Sequence, residues 1–357
     1  MTVRHLSIFL WIAVWLMLGE AALEVRAHLR GWDTLIFGTM APVAGAVAAA
    51  ERTVTYGPTP TFPFRSRVIP PDRQAEHRRY WLASASHAED AYLPPEQIFP
   101  SLLAEGLQEV GINAVVLNAS RAGYDIPGNI AELQRWGEQW QPDYVILYQL
   151  SQPLQAIARR IGAGKGGNVP STVTQSSMTA RPFGWADRLV EETTVYANLK
   201  GQVTARIGAQ RVLANSLGEE GDRAFEALLR AFLEEVRRLG AVPVLTTFAT
   251  SHTRQQLAEF PEEIALGLFK YSSVLSVEGW VTSVERFNRV TERVASQEGV
   301  RLIDVAGRVS GRPEYFRDFV HFAPAGHRVV AETMKEALMR LDASPAWRAA
   351  RREGEAP

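Results

Sequence analysis

The chain has 357 residues, 46% of them hydrophobic and 22% charged, with a formal net charge of -1. That composition fits a globular protein with one large core, and the near-neutral balance gives no electrostatic ground for binding nucleic acid. There is no cysteine, which excludes disulfides, thiolate metal sites, cysteine nucleophiles and a lipidated N-terminal cysteine; no zinc spacing is present either, so neither metal nor cofactor is expected.

At the N-terminus, Arg4 and His5 precede an apolar run of 14 residues from Leu6 to Gly19, interrupted only by Ser7. A membrane-spanning helix needs about 20 residues, which continuation through Val25 supplies, while 14 suits the apolar region of a signal peptide. Residues 1–30 are therefore read as a signal-anchor or a cleaved signal. The anchor is preferred, because the stretch Gly19 to Ala22 makes a poor cleavage site and carries Glu20. Either way the body is expected outside the cytoplasm, as a single-pass membrane-anchored domain or, alternatively, a secreted one. Residues 31–74 read as a juxtamembrane segment and linker, its last part, "YGPTPTFPFRSRVIPPDR", holding five prolines.

From there short apolar runs alternate with amphipathic helical stretches. Strands are predicted at Tyr80–Ala83, "NAVVLN", "DYVILYQL", "AVPVLTTFA" and "VRLIDVA". Helices are predicted in "PEQIFPSLLAEGLQEVG", "IPGNIAELQRWGEQW", "DRAFEALLRAFLEEVRRLG", "FNRVTERVASQEG" and "PAGHRVVAETMKEALMRL". This alternation predicts one α/β domain over 75–342, a three-layer α/β/α fold on a mainly parallel sheet. An insertion at about 153–220 is expected to lie over the carboxyl ends of the strands, and 343–357 reads as a disordered tail. "GAGKGGNVPSTVTQSS" within the insertion is not a phosphate loop, since no strand precedes it and Lys165 is not followed by Ser or Thr.

A parallel sheet gathers its site at the carboxyl ends of its strands. The residues there are Ser84, Ser86 and His87 after the first strand, Gly123 after the second and Gln152 after the third. "TSHTR" follows the fourth, and Asp318, His321 and His327 come after the last. A hydroxyl, an imidazole, a carboxylate and amide donors are the parts of a serine hydrolase. His321 would take the serine proton, and Asp318, three residues earlier, would reach back to fix its tautomer. His327 at a helix start reads as a satisfied histidine, since a metal held by Asp318, His321 and His327 would lack a further ligand. His87 and His252 read as loop residues near the site, and Asp304 as a capping residue.

In order, these blocks resemble the SGNH/GDSL hydrolase superfamily: "SASHAED", "VLNASRAGYD", "PDYVILYQLSQP" and "DFVH" followed by Gly326 and His327. Placing Ser86 on the family nucleophile brings Pro95, Glu96, Phe99 and Pro100 into register with the family's loop and helix start; Ser84 does not. The resemblance implies a flavodoxin-like sheet and a Ser86–His321–Asp318 triad. It also implies an oxyanion hole from the N–H groups of Ser86 and Gly123 and the side chain of Gln152. The chain departs from the family pattern at four positions: Ser84 for Gly, Ala85 for the Asp that orders the first loop, Asp90 for Gly, and Gln152 for Asn. The implied activity is hydrolysis of an ester, such as an O-acetyl group on a glycan or other envelope component, with the N-terminal helix as membrane contact. An O-acyltransferase or a catalytically silent envelope-anchored module on the same fold are the alternatives.

Overall fold

The computed structural model describes residues 55–59, 61–69, 78–164, 214–261 and 274–342, with a few isolated residues elsewhere. Almost all of the predicted N-terminal segment, most of the insertion and the C-terminal tail lie outside them. Among the described residues no helix is long and apolar enough to cross a membrane.

Five strands, β1 (Arg78–Ala83), β2 (Ala114–Asn118), β3 (Tyr144–Leu147), β4 (Val242–Thr246) and β5 (Arg301–Ile303), form a wholly parallel sheet in the order β2-β1-β3-β4-β5. β2 and β3 are buried throughout, as is all of β1 beyond Arg78. Strands covered on both faces need continuous apolar runs, which is why "YWLA", "AVVL" and "YVIL" show no alternation. The connecting helices are α1 (Ser86–Glu89), α2 (Phe99–Glu109), α3 (Ile126–Trp140), α4 (Ser151–Gly164), α5 (Gly218–Arg238), α6 (Val277–Gln297), α7 (Val305–Val309) and α8 (Pro324–Asp342). α2 packs on α8, while α5 packs on α3, α4 and α6. The chain steps from β1 to β2 in one direction and thereafter in the other. With right-handed crossovers this places α2, with α8 packed against it, on one face and α3 to α6 on the other, giving three layers. The reversal opens a crevice between the carboxyl ends of β1 and β3.

The predicted elements differ from the structure most at β3, α6 and the proline-rich stretch. β3 stops at Leu147: Tyr148 N–H still reaches Ala83 O at 3.0 Å, but the chain then turns into α4, so the start of the predicted insertion is a helix of the body. α6 begins ten residues before the predicted Phe287. Its Ser276 hydroxyl accepts from Gly279 N–H at 2.9 Å, and a Cβ at Gly279 would collide with the Ala214 carbonyl. Packing of Trp280, Val281 and Val284 there overrides the weak helix propensity of Val, Thr and Gly.

The proline-rich stretch is the larger correction. Residues 55–69, read as an extended connector, fold onto the β2 edge. Phe62 and Phe64 are buried and meet Trp140 edge-on at 5.3 Å, and Phe64 meets Trp81 at 5.0 Å. Arg65 N–H bonds Asn118 O at 3.3 Å, and the Ser66 hydroxyl accepts from Asn118 N–H at 3.4 Å. An otherwise open edge strand is thereby covered.

Candidate active site

β1 delivers its last residue, Ala83, to the crevice, and the chain then turns sharply. Ser84 is buried, donates its hydroxyl to Tyr148 O, and its own carbonyl accepts from Asn129 Nδ2 at 2.8 Å. That hydroxyl is spent on holding β1 to the residue after β3. Ser86, two residues later, opens α1, and its Oγ lies 2.8 Å from His321 Nε2.

The opposing loop is folded by its own side chain. A bridge between Phe316 and Phe322 and a 2.8 Å bond from Arg317 N–H to His321 O close it. Within it Asp318 Oδ1 accepts from Val320 N–H at 2.9 Å and His321 N–H at 2.8 Å, leaving Oδ2 at 2.7 Å from His321 Nδ1. Partial desolvation pushes the half-exposed Asp318 carboxyl up. The hydrogen bond and charge of His321, with the two backbone N–H groups, outweigh this and hold it at about 2. An ionised Asp318 can only accept, so Nδ1 carries a proton, and in the neutral ring Nε2 then faces Ser86 with a lone pair.

Gly123 follows β2 in the left-handed region at φ 81°, where open space surrounds its Cα, so glycine is required by the backbone and not by crowding. Its loop is held on both sides: Ala122 N–H bonds Glu89 Oε2, and Gln149 Nε2 bonds Tyr124 O at 2.7 Å. Gln152 lies half-buried in the first turn of α4, after β3. The Ser86 N–H belongs to the first turn of α1, where intrahelical acceptors are missing. The three predicted oxyanion donors thus follow β1, β2 and β3.

His87 is no loop residue. It is buried, its Nε2 lies 3.0 Å from Ser151 Oγ, and its ring stacks on His321 at 5.3 Å. Burial, then the neighbouring His321 charge, push it down to about 3, so it stays neutral. His252 is buried beside Ser251, 2.9 Å from its hydroxyl, and Asp304 caps α7 through Gly307 N–H at 2.9 Å. His327 is fully buried with both ring nitrogens engaged: Nδ1 accepts from Phe99 N–H at 3.1 Å and Nε2 meets Asp90 Oδ2 at 2.8 Å. Sequence reasoning missed Asn129, Gln149, Glu89 and Arg317. Each acts through a contact between distant segments, and no local pattern marks it. A cavity of about 610 Å³ lies at the amino end of β2, between Tyr56, Arg67, Glu105 and Gln108, at the opposite end of the sheet from Ser86.

Compared with known protein families and with curated proteins, the chain matches none. Solved structures do match. One, a member of the lipolytic protein G-D-S-L family from Veillonella parvula, is 10% identical over 74% of this chain and 99% of that one, with a TM-score of 0.43. The lipase/acylhydrolase from Enterococcus faecalis is 13% identical over 72% and 94%, also at 0.43. An acetylxylan esterase from Geobacillus stearothermophilus is 13% identical over 73% and 93%, again at 0.43. Their names give, in that order, a lipolytic G-D-S-L protein, a lipase/acylhydrolase and an acetylxylan esterase.

Proposed function

We propose that the protein is a serine ester hydrolase of SGNH type, with Ser86 as nucleophile, His321 as general base and Asp318 as its orienting carboxylate. The observation that carries this is the chain of contacts Ser86 Oγ–His321 Nε2 at 2.8 Å and His321 Nδ1–Asp318 Oδ2 at 2.7 Å. In it a hydroxyl, a base and an orienter stand in line. Ser86 Oγ attacks the acyl carbon while its proton passes to His321 Nε2. The N–H groups of Ser86 and Gly123 and the Gln152 amide stabilise the developing oxyanion. His321 then protonates the departing alkoxide, and water, deprotonated by the same nitrogen, releases the acid from Ser86.

The substrate class we propose is an O-acyl, notably O-acetyl, ester of a glycan or other envelope component. It is supported by the run from Leu6 to Gly19 behind Arg4 and His5, which suits export or a membrane anchor. Hydrolysis of p-nitrophenyl acetate and labelling by a fluorophosphonate test the chemistry. Ser86→Ala and His321→Ala are each expected to lower kcat by at least about a thousandfold, because base and nucleophile act as a unit. Wild-type turnover in the Ser86→Ala variant would refute the assignment. Fractionation tests the location: full-length protein found soluble with its N-terminus intact would refute both the anchored and the secreted readings.

A further inference from the structure

A second buried polar cluster lies directly behind the triad. Asp90, which ends α1, is fully buried, and its N–H bonds Ser86 O at 2.9 Å. Its carboxylate accepts from Arg317 Nη2 at 2.7 and 2.6 Å and from His327 Nε2 at 2.8 Å. Because His327 Nδ1 accepts from Phe99 N–H, Nε2 carries the ring proton and His327 is a neutral donor. The negative charge of Asp90 is therefore balanced by Arg317. Arg317 immediately precedes Asp318, and its N–H bonds the His321 carbonyl. Asp90 is also in the left-handed region at φ 32°, a conformation that disfavours a side chain and persists only where surroundings over-determine it.

We propose that Asp90 is a positioning residue. Through Arg317 and His327 it locks the turn that carries Ser86 against the loop that carries Asp318 and His321. This rests on the triad assigned above. The Asp90–Arg317 ion pair spans the two segments whose separation sets the distance from Ser86 Oγ to His321 Nε2, and a misplacement of an ångström there costs on the order of a hundredfold in rate. The carboxylate is the working part, and the strained backbone is tolerated for its sake.

Four variants test this, each checked for folding by near-ultraviolet circular dichroism. Asp90→Asn and Arg317→Gln are each expected to lower kcat on p-nitrophenyl acetate at least tenfold while KM stays within twofold. Arg317→Lys, which keeps the charge, recovers part of the loss. Asp90→Gly removes the backbone strain together with the carboxylate, and is expected to lose kcat as Asp90→Asn does. A folded Asp90→Gly protein with wild-type kcat would overturn the proposal, as would Arg317→Lys falling as far as Arg317→Gln. If the wild type hydrolyses no ester, the esterase reading fails by itself. The lock is then read from the far-downfield NMR signal of the His321 Nδ1 proton. That signal is expected to broaden or vanish in Asp90→Asn, and its persistence unchanged would refute the lock.

Discussion

At the residue scale, the two serines after β1 are separated by what their hydroxyls already do. Ser84 Oγ is committed to Tyr148 O, so Ser84→Ala is expected to leave fluorophosphonate labelling of Ser86 intact. It should lower stability by roughly 1–3 kcal/mol, since Tyr148 O is left buried and unpaired. Labelling together with urea unfolding separates the two effects. In the mechanism proposed above, Gln152 is the departure that bears on turnover, because its extra methylene moves the amide relative to the asparagine implied by the resemblance. Gln152→Asn is expected to raise or preserve kcat if the amide serves the oxyanion, and Gln152→Ala to lower it by about a hundredfold. His87 makes a pH prediction. Its folded-state value of about 3 lies below the unfolded 6.5, so between those limits only the unfolded chain takes the proton. The stability carried by neutral His87 is full above pH 6.5 and falls as pH drops towards 3, at up to about 1.4 kcal/mol per pH unit. His327, pushed down by burial against the opposing pull of Asp90, and His252, pushed down by burial, act in the same direction. Urea midpoints measured from pH 7 to 4 are expected to fall less steeply in His87→Gln than in wild type.

At the element scale, the crevice is held by side chains of α3 and of the β3–α4 turn. Asn129 Nδ2 bonds Ser84 O, and Gln149 Nε2 bonds both Tyr124 O and, at 3.3 Å, Asn129 Oδ1. One small web therefore fixes the ends of β1, β2 and β3 together. Asn129→Ala leaves Ser84 O without its donor and is expected to cost about 1–3 kcal/mol in urea unfolding. Such contacts explain how much could be read from the chain alone. "AVVLN" and "YVIL" are buried on both faces and show themselves as unbroken apolar runs. The helix from Ile126 to Trp140 shows its apolar spacing, and its Asp125 cap appears in the structure. Asp318 and His321 were legible because their partnership is local, three residues apart on one loop. Asp90 was not, since its partners lie 227 and 237 residues away. Nor was the early start of α6, where burial of Trp280 and the contact at Gly279 outvote local propensity. The proline-rich stretch misled for the same reason, because prolines mark broken secondary structure and say nothing about burial of the phenylalanines between them.

At the scale of the whole molecule, that stretch decides where the domain begins. Phe62 and Phe64 complete an aromatic cluster with Trp81 of β1 and Trp140 of α3. Arg65 donates to the carbonyls of Glu89, Asp90 and Leu93 just past the turn that carries Ser86. Residues 55–69 thus cover the β2 edge, fill a corner of the core and brace the segment that presents Ser86. Removing residues 1–54 touches none of these contacts, and the shortened protein is expected to unfold at the same urea concentration as the full chain. Removing residues 1–69 uncovers Trp81 and Trp140 and strips Asn118 of its Ser66 and Arg65 partners. Truncating one buried phenylalanine costs about 3–5 kcal/mol, and a domain has only about 5–15 in reserve. The longer deletion is therefore expected to leave little or no folded protein. Phe64→Ala alone should shift the midpoint strongly while sparing labelling of the folded fraction. Arg65→Ala, made in the full chain, should do the reverse, slowing labelling of Ser86 more than it lowers the midpoint. A 1–69 deletion that unfolds cooperatively at the wild-type midpoint would return residues 55–69 to the role of a connector.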